Sequence, residues 1–266
     1  MNGILIPLAV LMGLLIGSFL NVCIYRWPRD LSVVKPRSHC TDCERQIAWY
    51  DNIPLLSYAL LGGRCRGCST AIPWRYPVVE ALTALAFGWF FSRLGPGLPA
   101  IKMCLFAAMM IGLIFSDLET RLLPDEFTLG GMYLGFVFSL AVLLPDTIAG
   151  FVATIAGIVP PPRVLSLGES LLGAGLPAGA LWLMGWLFEK IRHKEGLGFG
   201  DVKMIAMMGA FLGLRDALTS VIIGSLLGSV VGLAWIKLTG KDAAEYQLPF
   251  ASFLGTAGLA VACTLY

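Results

Sequence analysis

Long apolar runs, separated by short clusters of charged residues, recur along the whole 266-residue chain. Apolar residues make up 57% of the sequence and charged residues 14%, well below the roughly 25% charge of a soluble domain. A run of about 20 apolar residues can cross a bilayer as a helix. The pattern therefore predicts an all-α polytopic membrane protein. About eight transmembrane helices are expected, near 4–24, 78–92, 99–116, 127–144, 168–188, 202–214, 217–236 and 248–266.

The first apolar run lacks the basic segment and the cleavage site of a secretory signal, and more spans follow it. We therefore expect it to remain in the protein as the first transmembrane helix. Within it, Gly13 and Gly17 have the spacing that lets two membrane helices approach closely. This pair predicts tight helix packing.

The distribution of Lys and Arg predicts the orientation. With the amino terminus outside, 15 of the 19 basic residues fall in cytoplasmic segments, and four lie outside: Arg93, Lys102, Arg163 and Arg215. Cytoplasmic loops of membrane proteins carry such an excess. Both termini are then periplasmic, and the basic cytoplasmic face favours anionic lipid headgroups. The formal net charge of +2 follows from this topology and indicates no nucleic-acid binding.

The outside stretch at 145–168 contains an apolar piece at 148–159 that ends in three prolines. This piece is too short to span the bilayer comfortably, so it is expected to lie along the interface or dip into it. The alternative is that it spans. In that case every later segment lies on the opposite side of the membrane, and the polar motifs before and after this stretch no longer share one face.

Residues 26–77 form the one long polar segment and contain two C-x-x-C pairs, Cys40/Cys43 and Cys65/Cys68. Four thiolates on two turns supply the ligands of a tetrahedral structural zinc ion. A segment of about 50 residues with few large apolar side chains needs such a staple. Four redox-active or unrelated cysteines are the alternative. Three domains result: the first transmembrane helix at 1–25, a small cytoplasmic zinc-binding domain at 26–77, and a transmembrane bundle at 78–266.

Two aspartates, Asp117 and Asp201, are expected at the cytoplasmic ends of different transmembrane helices. An acid at membrane depth is costly, about 2.5–3.5 kcal/mol at the helix centre, so it tends to face a cavity or a partner. Two adjacent carboxyl groups share a proton, and one can activate water while the other polarises a scissile carbonyl. Helix capping is the alternative, since Asp201 is well placed as an N-cap. Asp125 competes with Asp117 as the first acid.

Residues 198–203, with the sequence Gly-Phe-Gly-Asp-Val-Lys, resemble the G-x-G-D-x-K signature of type IV prepilin peptidases. These are bifunctional membrane enzymes of pilus assembly and type II secretion. The resemblance covers nearly the whole chain. Further strings agree with that family in order, at 17–22, 52–58, 61–63, 75–80, 122–125 and 248–250.

The resemblance implies that Asp117 and Asp201 are the catalytic pair, with Asp125 in the neighbouring motif but not the acid itself. It also implies cleavage of type IV prepilins or pseudopilins after a glycine, at the cytoplasmic face of the bacterial inner membrane. N-methylation of the new amino terminus from S-adenosylmethionine is expected to follow. The four-cysteine domain accompanies this second activity in the family. One departure is Ala251, which stands where glycine is common.

Two other functions remain open at this point. One is a peptidase whose zinc domain is purely structural. The other is a membrane transporter with a cytoplasmic zinc knuckle, which predicts charged residues in mid-span. Such residues are almost absent here, which argues against a transporter. The resemblance implies an aspartic endopeptidase and S-adenosylmethionine-dependent N-methyltransferase, and a peptidase without methyl transfer stays the alternative.

Overall fold

The computed structural model describes residues 2–144, 147–193, 198–239 and 248–265. Within these ranges the regular structure is helical, and the only extended pairing is two isolated bridges in the polar segment. Short 3-10 turns lie at Trp27–Arg29 and Trp49–Asn52. The α-helices are α1 (Asn2–Arg26), α2 (Leu56–Leu60), α3 (Arg75–Leu94), α4 (Leu98–Thr120), α5 (Asp125–Ala141), α6 (Ile148–Ile155), α7 (Pro162–Arg192), α8 (Phe199–Leu212), α9 (Leu214–Thr239) and α10 (Phe250–Leu265).

Four of the described helices, α1, α4, α7 and α9, are long and apolar enough to cross a membrane by length and composition. The prediction of an all-helical membrane protein is therefore confirmed. Three other apolar helices, α5, α8 and α10, have 17, 14 and 16 residues, fewer than the roughly 20 that a full span needs. The total of eight spans stays a prediction.

The apolar piece at 148–159 contains α6 (Ile148–Ile155), which has eight residues. A helix of this length is about 12 Å long, less than half the thickness of a bilayer core. The described part of this stretch therefore fits the interfacial interpretation. Pro145 and Asp146, at its start, lie outside the described residues.

Backbone contacts divide the chain into two compact units, residues 1–116 and 117–266. In the first unit α1 packs against α3 along a glycine face. A Cβ atom at Gly13 would lie 2.7 Å from the Cα of Ala84, and one at Gly17 would lie 2.7 Å from the Cα of Glu80. Only glycine allows so close an approach, so the predicted packing role of this pair is confirmed.

In the second unit α8 packs against α5, α7, α9 and α10. From Met204 to Leu212 all but one of its residues are buried. A helix that is apolar all round belongs in the interior of a bundle. Close packing on α7 is possible because Gly209 lies directly against the backbone of Gly173. The buried core of α8 thus fixes the position of its first turn, which carries Asp201.

The end of α8 differs slightly from the predicted segment 202–214. The helix stops at Leu212, and Gly213 has a positive φ of 85°, a conformation that glycine adopts without strain. Arg215 and Asp216, expected beyond the span, therefore lie in the first turn of α9. An acid in the first turn of a helix interacts favourably with the helix dipole.

Candidate functional site

Asp117 lies in the last turn of α4, where a negative charge is unfavourable for its own helix. The residue is 6% exposed. Its Oδ2 atom accepts two hydrogen bonds from Ser252, one from the backbone nitrogen at 2.9 Å and one from the hydroxyl at 2.7 Å. Ser252 is in the first turn of α10. The carboxylate of Asp117 therefore caps the amino terminus of α10.

Asp201 lies in the first turn of α8 and is half-buried. Its backbone N–H donates to the carbonyl oxygen of Gly198 at 3.1 Å, which closes the first helical turn. The negative charge of Asp117 acts electrostatically on the carboxyl group of Asp201. The fold therefore brings together two acids that are far apart in sequence, one from the end of α4 and one from the start of α8.

The alternative in which the two aspartates cap helices holds for Asp117 but not for Asp201. Asp201 is not the N-cap of its helix, because α8 begins earlier and Gly198 occupies that position. Asp117 does cap a helix. The helix is α10, however, whose Ser252 is 135 residues away in sequence.

The segment that follows Asp117 packs against the start of α8. A Cβ atom at Gly200 would lie 3.2 Å from the Cβ of Leu123, which is tighter than most real contacts. The carboxylate of Asp125 pairs with the ammonium group of Lys203 at 2.5 Å, and its side chain is 55% exposed. Asp125 is thus exposed and paired with the half-buried Lys203, whereas Asp117 is buried.

The four cysteines of the polar segment come together on two similar turns. One turn is closed by an isolated bridge between His39 and Gln46, and the other by a bridge between Arg64 and Ala71. In both turns the N–H of the fourth residue after the first cysteine donates to that cysteine's carbonyl oxygen, at 3.0 and 2.9 Å. The pattern is that of two zinc knuckles.

The sulfur atoms of Cys40, Cys43, Cys65 and Cys68 all lie within 4.8 Å of one another, and those of Cys40 and Cys68 are 3.7 Å apart. Four sulfurs around one zinc ion at about 2.3 Å stand roughly 3.8 Å from each other. The donor set and its spacing therefore fit a tetrahedral zinc ion, and this cluster could hold one.

Local hydrogen bonds favour the thiolate at Cys65 and Cys68. At Cys43, by contrast, the Arg45 backbone lowers the pKa, but desolvation and hydrogen bonds to the other cysteines outweigh this effect and raise the pKa to about 11. The Thr70 hydroxyl, 3.4 Å from the sulfur, and the Thr70 backbone lower the pKa of Cys68 to about 6. Backbone groups of Cys68 and Gly67 lower the pKa of Cys65. Because the thiolate is the form that binds metal, these contacts prepare the turn of Cys65 and Cys68 for an ion.

The sequence motifs did not single out Ser252. Its partner, Asp117, is distant in sequence, so no local pattern links them. The available signal was its place just after Pro249, since a proline followed by an apolar run is typical of a helix start.

These features define a helical membrane protein with a pair of acids, one buried and one half-buried, and a four-cysteine cluster. Residues 11–94 match the bacterial peptidase A24 N-terminal domain, and residues 104–233 match the type IV leader peptidase family. The chain belongs to the type IV leader peptidase family. This confirms the resemblance drawn from the motifs.

Curated relatives match nearly end to end. The prepilin leader peptidase/N-methyltransferase of Aeromonas hydrophila is 34% identical over 275 residues, which cover 94% of this chain and 88% of that protein. The protein of the same name from Xanthomonas campestris is 35% identical, with 97% and 91% covered. That of Pseudomonas aeruginosa is 32% identical, with 94% and 87% covered. No solved structure matches the chain.

Proposed function

We propose that this chain removes the leader peptide of type IV prepilins or related pseudopilins and then N-methylates the new amino-terminal residue. One observation carries the peptidase part: Asp117, at the end of α4, and Asp201, at the start of α8, interact electrostatically. Membership of the leader peptidase family supports it. The name shared by the relatives, prepilin leader peptidase/N-methyltransferase, supports both activities.

The chemistry follows from two carboxyl groups that share one proton. The ionised carboxylate takes a proton from water while the oxygen of that water attacks the scissile carbonyl carbon, and the protonated partner gives its proton to the carbonyl oxygen. The resulting tetrahedral intermediate collapses as the C–N bond breaks. The leaving nitrogen receives the proton taken from water, and the hydroxyl returns its proton to the partner acid. The products are a carboxylic acid and a free amine.

The membrane topology completes the proposal. Eight spans with both termini in the periplasm put the Asp117 and Asp201 motifs at the cytoplasmic face of the bacterial inner membrane. The excess of basic residues in the segments assigned to that face supports this orientation. A prepilin has a basic leader in the cytoplasm and a hydrophobic helix in the bilayer. Its cleavage site, after a glycine, then meets the two acids at the interface.

The zinc domain at 26–77 is proposed to be cytoplasmic, with Cys40, Cys43, Cys65 and Cys68 as the ligands. Four protein ligands leave no open coordination position, so the ion acts as a structural staple and takes no part in hydrolysis. The clustering of the four sulfurs supports this assignment.

S-adenosylmethionine supplies the methyl group for the second activity. A cavity of about 210 Å³ in the first unit is lined by polar and aromatic side chains, among them Tyr50, Asp51, Tyr58 and Glu80. It is smaller than the roughly 300–1,000 Å³ typical of small-molecule sites. The volume of this cavity therefore gives no support for a methyl-donor site there.

Incubation of the purified protein with a prepilin and S-adenosylmethionine, followed by mass spectrometry, tests both activities in one spectrum. We expect loss of the leader after its glycine and a methyl increment on the new amino terminus. A cleaved but unmethylated product would favour a peptidase with a purely structural zinc domain. An intact prepilin would contradict the proposal.

A further inference from the structure

Ser252 contacts Asp117 although it belongs to neither acidic motif. Its backbone nitrogen and its hydroxyl oxygen lie 2.9 and 2.7 Å from the same carboxyl oxygen, Oδ2 of Asp117. Ser252 is 8% exposed and Asp117 is 6% exposed, so water competes little for these two bonds. The hydroxyl distance of 2.7 Å lies within the range for a donor that meets an ionised carboxylate.

The arrangement favours one protonation state of Asp117. Both Ser252 groups donate to Oδ2, and such bonds are strongest when the carboxyl group they meet carries the negative charge. The amino terminus of α10, a helix of 16 residues, adds the positive end of its dipole. Hydrogen bonds to the charged form of an acid stabilise that form.

Two other charged groups act on this carboxylate. Arg121, which follows the end of α4, attracts it, and Asp201 of α8 repels it. In the part of the chain that the structure describes, no hydrogen-bond donor meets the Asp201 carboxyl group. Since two carboxylates that repel each other cannot both remain ionised easily, the shared proton belongs on Asp201, which accepts no hydrogen bond from the described residues.

We infer that Ser252 is a positioning residue that holds Asp117 as the ionised member of the pair. Asp117 then takes the proton from water, and Asp201 donates its proton to the scissile carbonyl oxygen. The inference rests on the proposed function, which leaves the two roles unassigned between the acids.

The test compares Ser252→Ala with Ser252→Thr, which keeps a hydroxyl donor. Ser170→Ala is the matched control, because the Ser170 hydroxyl is also buried and donates to a backbone carbonyl, that of Ala210, at 2.7 Å. Steady-state cleavage of a prepilin by each purified full-length variant gives kcat and KM, and thermal unfolding reports folding.

We expect Ser252→Ala to lower kcat about tenfold to a hundredfold, the effect of losing one hydrogen bond to a charged group, with little change in KM. Ser252→Thr should recover most of that loss. Ser170→Ala should keep the wild-type kcat although it loses a comparable amount of thermal stability.

A wild-type kcat in Ser252→Ala would overturn the inference, as would an equal loss in Ser170→Ala. So would a Ser252→Thr protein that unfolds at the wild-type temperature but cleaves as slowly as Ser252→Ala. These results leave the proposed function standing if Asp117→Asn and Asp201→Asn are inactive. Cleavage by those two variants would instead defeat the proposed function itself.

Discussion

Gly200 lies where the segment after Asp117 packs against the start of α8, and its lack of a side chain leaves room for Leu123. A Cβ atom there would lie 3.2 Å from the Cβ of Leu123, so any larger residue at position 200 would press on the segment after Asp117. The ion pair between Lys203 of α8 and the exposed Asp125 of α5 also joins the start of α8 to the segment after Asp117. Both contacts hold the elements that carry the acids without involving the acids themselves.

We predict that Gly200→Ala slows leader cleavage and lowers the unfolding temperature. Overpacking of this kind costs about 1–3 kcal/mol, and here the displaced segment is the one next to Asp117. Gly175→Ala is the matched control, because a Cβ atom at that helical position meets no atom within 4 Å. Cleavage rates and thermal unfolding of both variants check this. Equal behaviour of the two would contradict the packing argument.

The sequence indicated the two acids but not the residues that contact them. The motif strings indicated both Asp117 and Asp201, because each stands beside a recognisable run of glycine or proline. They could not indicate Ser252, whose contact depends on how α4 and α10 pack. The start of α8 was also missed by a few residues, because Gly198 is a weaker helix-start signal than the aspartate that follows it.

At the scale of elements, one buried acid joins three helices of the second unit. Glu169 in α7 is 2% exposed. Its Oε2 accepts a hydrogen bond from the N–H of Ala149 at the start of α6, at 2.9 Å. Its Oε1 accepts one from the N–H of Leu214 at the start of α9, at 3.0 Å. A single carboxylate thus caps two helices, which explains why the short α6 lies against α7.

Glu169→Gln is therefore expected to destabilise the protein by about 1–3 kcal/mol. Glutamine keeps the shape of the side chain, but its amide NH2 group cannot accept the hydrogen bond from one of the two backbone N–H groups. Thermal unfolding in detergent measures the loss. Glu126→Gln, at an exposed position in the first turn of α5, should unfold within a degree or two of wild type. An unchanged unfolding temperature for Glu169→Gln would rule out the capping role.

The two cysteine turns are proposed to bind one zinc ion, and substitution of their cysteines tests this. We predict that Cys40→Ser with Cys65→Ser removes bound zinc, because each turn then loses one of its two thiolates. Elemental analysis of the purified variant gives the zinc content per chain. Cys263→Ala, which alters a cysteine of α10 outside the cluster, should bind as much zinc as wild type. One zinc per chain in the double variant would show that the cluster is not the site.

Elements differ in how well the sequence predicts them. Long apolar runs gave α1, α4, α7 and α9 closely, because length and hydropathy alone define a spanning helix. The short helix α8 was the weakest prediction, since its stability comes from burial among neighbouring helices and not from its own length. The bridge made by Glu169 was not predictable, because a glutamate in an apolar run does not reveal which backbone groups it will meet.

For the whole molecule, the remaining prediction is the orientation in the membrane. With both termini periplasmic, alkaline phosphatase fused after Tyr266 should be active, since that enzyme needs an oxidising compartment for its disulfides. The same reporter fused after Gly62, inside the zinc domain, should be inactive. The reverse pattern, or activity at both positions, would contradict the proposed topology and the cytoplasmic placement of the zinc domain.

The most direct test of the catalytic pair is leader removal by Asp117→Asn and Asp201→Asn, each purified and given a prepilin. Asparagine keeps the size of the side chain but cannot hold or transfer the shared proton, so each variant should leave the prepilin intact in the mass spectrum while unfolding near the wild-type temperature. Asp125→Asn, which changes an exposed acid of the neighbouring motif, should still remove the leader. Full leader removal by either Asp117→Asn or Asp201→Asn would contradict the account.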